Sequence, residues 1–245
     1  MNIIKLNAIE STNLYLKKLV VEKELESYTV VSANYQSAGR GQMGANWHSE
    51  IGKNLTFSIL IKFDAFEIER QFYLSMAVSL GLLAAIQLHI SSPLFVKWPN
   101  DILAEKDKLA GILIENIVTG NVIKQTVIGI GLNVNQEQFP ATIGKVTSLK
   151  KMTGNSFDTE SLLESIVISI QNFVDYIERK EFQKLKSLYL KSLYKFEKPV
   201  MFQDDKGLIF LGKIVNVCED GKLEVELEDE KTRKFNLKEI KFAGR

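Results

Sequence analysis

The 245-residue chain is short of the residues that most often build redox and metal centres. It has one cysteine, Cys218, which excludes an internal disulfide and any multi-cysteine metal site and suits a reducing compartment. Its two histidines, His48 and His89, cannot build a usual zinc centre on their own. A surplus of one charge is also missing. Lys+Arg is 31 and Asp+Glu is 30, so the net charge of +1 supplies no basic excess for duplex nucleic acid. The N-terminal MNIIKLNAIESTN has no basic segment leading into an apolar one, so no secretory signal is expected. The most apolar stretch, residues 72–90 (FYLSMAVSLGLLAAIQLHI), carries Ser75, Ser79, Gln87 and His89 and is preceded by Glu67, Glu69 and Arg70. A spanning helix wants about 20 apolar residues with few polar ones, so this segment reads as a buried core helix. The expectation is a cytoplasmic protein with neither a membrane nor a nucleic-acid partner. A 45% apolar and 25% charged composition excludes a disordered chain.

What is present reads as one large domain with a small appendage. Ser11-Thr12 precede LYLKKLVVEKEL, a capped amphipathic helix. Residues 28–35 and 54–63 read as strands, and 36–49, with three glycines and little periodicity, as a long loop. Short strands are expected at 94–98, around Leu103, at 109–118 and at 125–134, and helices at 158–179 and 181–196. Near Lys198-Pro199 the pattern changes to short alternating strands, with turns at residues 204–207 and 219–221. The boundaries are therefore 1–197 for the larger domain and 198–245 for a small β-barrel. The fold class is α+β, with a mixed or antiparallel sheet and packed helices. A doubly wound fold is disfavoured because strands and helices do not alternate regularly.

Four segments could carry chemistry. Gly39-Arg40-Gly41, followed by Gly44 and Trp47, has the bare GxGxxG spacing, but a strand rather than a helix is expected after it, and it is not a Walker loop. Such a loop can bring backbone N–H groups and the Arg40 fork near an anion, with Trp47 offering a flat face; it can equally be a surface loop anchored by its tryptophan. Lys97-Trp98-Pro99-Asn100-Asp101 presents Asn100 and Asp101 at a strand end, for Mg²⁺, for a lysine, or as a plain turn cap. Lys108 opens the apolar strand KLAGILIE, and Gly111 within it signals close approach of a ligand or another backbone. In GIGLNVN (129–135) two more glycines do the same, and Asn133 could bond a purine edge or a hydroxyl.

In this order, Ser11-Thr12-Asn13, QSAGRG (36–41), Trp47, KWPNDI, KLAGILIE, GIGLNVN and Thr147-Ser148-Leu149 resemble the biotin–protein ligases (biotin–acetyl-CoA-carboxylase ligases) over essentially the whole chain. The resemblance is to the short class without an N-terminal DNA-binding domain. It implies a biotin/lipoate ligase-like catalytic domain followed by a small C-terminal SH3-like β-barrel. It also implies a two-step, ATP-dependent, AMP-forming reaction with Mg²⁺ and no prosthetic group. Biotin's carboxylate attacks the α-phosphate of ATP to give biotinyl-5′-AMP, and a lysine on the biotin carboxyl carrier domain of a biotin-dependent carboxylase then takes the biotin. Position by position, Lys108 and Arg40 become the catalytic cations between two anions. Ser11, Thr12, Asn13, Gln36, Gly39, Gly41, Gln42 and Gly111, with Arg40 and Lys108, would contact biotin. Trp47, Lys97, Asn100, Asp101 and Asn133 would contact the nucleotide, with Asp101 beside Mg²⁺. An exposed sheet edge would dock the carrier or a second copy of the chain.

The sequence departs from the family pattern at one place. Where a second arginine and a further basic residue usually follow Gly-Arg-Gly, this chain has Gln42 and Met43. A weaker hold on the adenylate is expected. Two alternatives stay open: a lipoate–protein ligase-like acyl-adenylating enzyme, and a non-catalytic biotin-binding module.

Overall fold

The computed structural model describes residues 1–244. Seven strands form the first sheet: β1 (Asn2–Ile9), β2 (Thr29–Gln36), β3 (Leu55–Glu67), β4 (Leu94–Lys97), β5 (Asp101–Ala104), β6 (Asp107–Thr119) and β7 (Val122–Leu132). Their order is β1-β2-β3-β7-β6-β5-β4, with β1 and β2 parallel and every other pair antiparallel. The sheet is therefore mixed, and the single parallel pair is bridged by α1 (Thr12–Glu22).

Strand β3 shows how the sequence sorts the two faces. Side chains alternate along a strand. Phe57, Ile59 and Ile61 enter the main core, while Leu60 joins Leu16 and Leu19 of α1, Val31 and Val127 in a smaller cluster. Thr56 and Ser58 share the α1 side of the strand and are buried polar residues. That face, half apolar and half hydroxylated, is where the site lies.

The apolar segment at 72–90 is α2 (Phe72–Gln87), buried along most of its length against the sheet and packed on α4 (Thr159–Glu178) and α5 (Phe182–Ser192). Among the described residues no helix is long and apolar enough to cross a membrane. Gly81 permits the α2–α4 contact, since a Cβ there would stand 2.6 Å from Ile170 Cα. Helix α4 opens on Asp158, whose Oδ2 accepts hydrogen bonds from the N–H (2.9 Å) and Oγ (2.6 Å) of Ser161.

Three local features differ from the sequence expectation. Ser11 stands at the N-cap position of α1 but makes no side-chain capping bond. The Thr12 N–H is satisfied by Gln36 Oε1 at 2.7 Å instead, so a tertiary partner replaces the local one. Strand β1 was not anticipated, because at the sheet edge NIIKLNAI lacks a clean alternation. The short α3 (Leu149–Thr153), capped by Ser148 and ended by Gly154 at φ +77°, lies outside the helices expected from the sequence.

The second sheet is antiparallel, in the order β11-β10-β9-β8-β12, built from β8 (Pro199–Asp204), β9 (Ile209–Val217), β10 (Leu223–Leu227), β11 (Thr232–Phe235) and β12 (Ile240–Phe242). Gly207 (φ +86°) and Gly221 (φ +93°) occupy the two expected turns in the backbone region that favours glycine. Phe202, Ile214, Val217, Leu223, Val225 and Phe235 belong to the same apolar cluster as the first sheet's core. Trp98 Nε1 donates to the Gly221 carbonyl (2.8 Å), and Phe72 N to that of Glu219 (3.3 Å). The two sheets share one core.

Candidate active site

A cleft of about 610 Å³ opens between the ends of β4–β7, the loop after β2 and the second sheet. Its floor is made of glycines in register: Gly111 of β6 pairs with Gly131 of β7, and Gly129 lies two residues on. A Cβ at Gly131 would overlap the Trp47 indole, and one at Gly129 would overlap the Asn13 amide. At Gly111 it would come within 3.2 Å of Trp47 Cζ3 and 3.4 Å of Lys108 Nζ. The close approach expected from glycines in core strands is thus an approach of Trp47 and Asn13.

The glycine-rich segment forms a small hairpin. Trp47 N donates to the Gly39 carbonyl (2.9 Å), Arg40 bridges Asn46, and Gly41 N donates to the Ala45 carbonyl (2.6 Å). Met43 (φ +56°) and Gly44 (φ +82°) turn the tip, and a short 3-10 turn over Gln42–Gly44 replaces a helix. Arg40, Gly41, Gln42 and Trp47 line the cleft; Gly39 stands behind it, with no room for a Cβ beside the Trp47 carbonyl (2.5 Å). The Trp47 Nε1–H is buried without a hydrogen-bond partner among the described residues.

Lys108 enters from the start of β6. Its backbone is held on both sides, its N–H donating to the Lys145 carbonyl and its carbonyl accepting from Thr147 N, both at 2.9 Å. The ammonium is 2.7 Å from Asp101 Oδ1 and 5.7 Å from the Trp47 ring centre. Lys97 stands 4.0 Å from the other oxygen of Asp101. Arg40, on the glycine hairpin, lies 3.5 Å from Glu115. Both cations line the same cleft, each with a carboxylate beside it.

The polar end of the cleft is a chain of hydrogen bonds. Gln36 Oε1 accepts from Thr12 N (2.7 Å) and Thr12 Oγ1 (3.0 Å). Ser58 Oγ lies 2.7 Å from Thr12 Oγ1 and 2.5 Å from Asn13 Oδ1. Asn13 Nδ2 donates to Glu115 Oε2 at 2.9 Å. Ser11, Thr12, Asn13 and Gln36 all line the cleft and, with the oxygen of Gln36 committed, its NH₂ group remains for a ligand.

Two of the expected nucleotide contacts, Asn100 and Asn133, also have partners within the protein. Asn100 lines the cleft, but its amide donates to the Ile112 carbonyl (2.8 Å) and fixes the turn against β6. Asn133 is buried, with its amide donating to the Thr147 carbonyl (3.0 Å), and it is not part of the cleft lining. It therefore staples the 145–149 segment that grips Lys108. For magnesium, no three His, Cys, Asp or Glu side chains converge among the described residues, and Asp101 is already engaged by Lys108. Asp101 does not fit as part of a cage built by protein alone, and a magnesium ion here would come with the phosphates that coordinate it.

Sequence reasoning missed several residues of the site and its support. Ser58 and Glu115 hold Thr12 and Asn13 without lining the cleft themselves, and stand in the sequence as polar interruptions of apolar strands. Lys106, Lys145, Lys238 and Lys241 reach the cleft, as do Phe202, Leu223 and Ile240 of the second sheet. No local pattern marks these, because the topology alone brings them there.

The chain is similar along nearly its whole length to the biotin protein ligase of Aquifex aeolicus in complex with biotin and ATP, with a TM-score of 0.80, 25% identity and 99% of both chains covered. It is 28% identical over 205 residues, 82% of the chain, to the bifunctional ligase/repressor BirA of Bacillus spizizenii. It is 25% identical over 198 residues to the biotin–[acetyl-CoA-carboxylase] ligase of Paracoccus denitrificans, covering 78% of this chain and 81% of that one. The aligned part spans between 47% and 62% of the length of the four bifunctional relatives. Residues 6–133, from β1 through the glycine floor and both cleft cations, match the model of the biotin/lipoate A/B protein ligase family, and with more than half of its length so matched the chain belongs to that family.

Proposed function

We propose that the protein is a biotin–protein ligase. It joins biotin to ATP as biotinyl-5′-AMP and passes the biotin to a lysine of a biotin carboxyl carrier domain of an acetyl-CoA carboxylase or related enzyme. The observation that carries this reading is the presence of both Arg40 and Lys108 in the lining of one cleft, with a glycine floor and a tryptophan face. In the first step a carboxylate oxygen attacks the α-phosphorus and pyrophosphate leaves. Both partners are anions, so the barrier contains their repulsion, and fixed cations beside the reacting atoms lower it. Lys108 supplies a point charge anchored by two backbone hydrogen bonds, and Arg40 supplies a directional fork. A magnesium ion bound with ATP would supply further positive charge to the phosphates, beside the Lys108 and Arg40 charges fixed by the protein.

Thr12, Asn13 and Gln36 offer the directional hydrogen bonds that an uncharged ureido head requires. Trp47 offers a stacking face, and its hairpin position excludes water from the anhydride. In the second step the carrier's lysine amine attacks the acyl carbon, an amide forms and AMP leaves. The roles of Gln42, Lys97 and Asp101 follow the same reading: Gln42 donates from the loop, and Asp101 orients Lys108 and Lys97. Among the described residues β1 has a strand partner on one side only, and its other edge would suit a carrier hairpin or a second copy of the chain.

The test is direct. Purified protein, ATP and Mg²⁺ are incubated with biotin or with lipoate, and pyrophosphate is measured. Release with biotin and not with lipoate is the expected result. Release with lipoate alone makes it a lipoate ligase, and release with neither leaves a binding module.

A further inference from the structure

Strand β6 carries a carboxylate that the reaction scheme does not use. Glu115 ends the apolar run that Lys108 begins, and it pairs in register with Val127. Groups from three positions converge on it: Asn13 Nδ2 at 2.9 Å, Lys17 Nζ at 3.1 Å and Arg40 Nη1 at 3.5 Å. Asn13 and Lys17 are four residues apart and so share one face of α1, whereas Arg40 comes from the glycine hairpin. Partial burial works to raise the Glu115 carboxyl's pKa. The hydrogen bonds from Asn13 and Lys17, with the charges of Lys17 and Arg40, outweigh that and hold it below the usual carboxylate range.

This arrangement constrains both neighbours. An amide whose NH₂ faces a carboxylate must turn its oxygen the other way, and Asn13 Oδ1 is met there by Ser58 Oγ at 2.5 Å, over the bare backbone of Gly129. Glu115 thus fixes which end of the Asn13 amide faces which way. The same carboxylate tethers the glycine hairpin through Arg40. It can release Arg40 to a substrate anion without being stranded, because Lys17 stays beside it.

We propose that Glu115 is a positioning residue that couples the recognition groups at the start of α1 to the glycine hairpin, orienting Asn13 and tethering Arg40 in the cleft wall. Its effect on turnover rests on the adenylation reading given above, whereas the tether can be tested without any activity.

Two variants separate the two roles. Glu115→Gln keeps an acceptor oxygen for Asn13 and removes the charge that attracts Arg40; Glu115→Ala removes both. In ligand-free protein, tryptic cleavage after Arg40 is timed against cleavage after Arg179 as an internal reference. Both variants should be cut about two- to fivefold faster than wild type at Arg40, the range that a partly exposed ion pair supports. Cleavage at the wild-type rate overturns the tether, whether or not the protein proves to be a ligase. In biotin-dependent pyrophosphate exchange, Glu115→Gln should leave the biotin KM near wild type, while Glu115→Ala raises it about fivefold or more, as for loss of an orienting hydrogen bond to a charged group. Equal biotin KM values in the two variants, or a loss confined to kcat, overturn the orienting role. A wild-type protein inert towards biotin refutes the ligase reading and leaves the proteolysis result to decide Glu115.

Discussion

In the cleft both cations have carboxylate neighbours, Lys108 with Asp101 at 2.7 Å and Arg40 with Glu115 at 3.5 Å. Incoming anions must compete with these carboxylates, and the shorter pair is the harder to displace. Lys108→Ala removes the charge without disturbing the backbone hydrogen bonds that hold residue 108. Adenylate formation should therefore fall by about a hundredfold or more, the worth of a charge-assisted contact in a reacting site. The thermal midpoint should stay near wild type; a normal rate of biotin-dependent pyrophosphate exchange would remove Lys108 from the mechanism. Gln42 is the converse case. It lines the cleft where relatives of the resembled family carry arginine, so Gln42→Arg should slow the release of biotinyl-5′-AMP by about ten- to a hundredfold. Chasing labelled adenylate off the protein measures this, and an unchanged off-rate speaks against it. Most of these site residues were legible in the sequence because glycines in a core strand and a lysine at its start are chemically anomalous. Glu115 and Ser58 are as anomalous, yet each reads as a solvated strand residue until the partner on α1 is known. Asn133 carries a second duty that the sequence does not reveal: its amide supports the segment around Lys108.

At the scale of elements, the packing of α2 against α4 turns on a single missing Cβ. Gly81→Ala would gain about 1 kcal/mol of helix propensity. It would also place a methyl 2.6 Å from the backbone of Ile170, which cannot yield as a side-chain tip can. Overpacking of this kind costs about 1–3 kcal/mol, so the net effect should be destabilising, read as a lower urea midpoint at constant m-value. A raised midpoint would mean that α4 moves aside at little cost. The same elements show what the sequence could reveal. Helix α2 was evident because its run is apolar on every face, and α4 because Asp158 and Ser161 form a local cap. Strand β1 and helix α3 were not, since an edge strand has no face fully buried and five residues give too short a period to recognise. Ser11 misled for a related reason: its expected capping role belongs to Gln36, twenty-four positions along the chain from Thr12.

The whole molecule depends on how the second sheet seats on the first, and that seam is sensitive to alkali. Phe72 and Tyr73 at the start of α2 meet the 219–221 turn: Tyr73 Oη donates to Glu219 Oε1 at 3.0 Å, and Gly221 leaves space for the Phe72 ring that a Cβ would fill. Burial, then the hydrogen bond to Glu219 and its negative charge, push the Tyr73 phenol from an ordinary 10.0 up to about 12. Burial pushes Tyr28 and Tyr189 upward as well. The folded state thus holds protons that the unfolded chain begins to lose near pH 10. The sign follows from linkage: these phenols leave stability unaffected below that pH and erode it as pH rises from about 10 to about 12. The urea midpoint should decline through that window, and Tyr73→Phe should decline less steeply, having no phenol at the seam to ionise. At neutral pH the same variant should be weaker than wild type by about 1 kcal/mol, for the lost hydrogen bond. The two stability curves should therefore converge as the solution becomes more alkaline; parallel curves would show that the seam does not titrate. Because Phe202, Leu223 and Ile240 of the second sheet wall the cleft that the 219–221 turn holds in place, adenylate formation should fail over the same interval, with the deficit of the Tyr73→Phe protein narrowing towards its alkaline end.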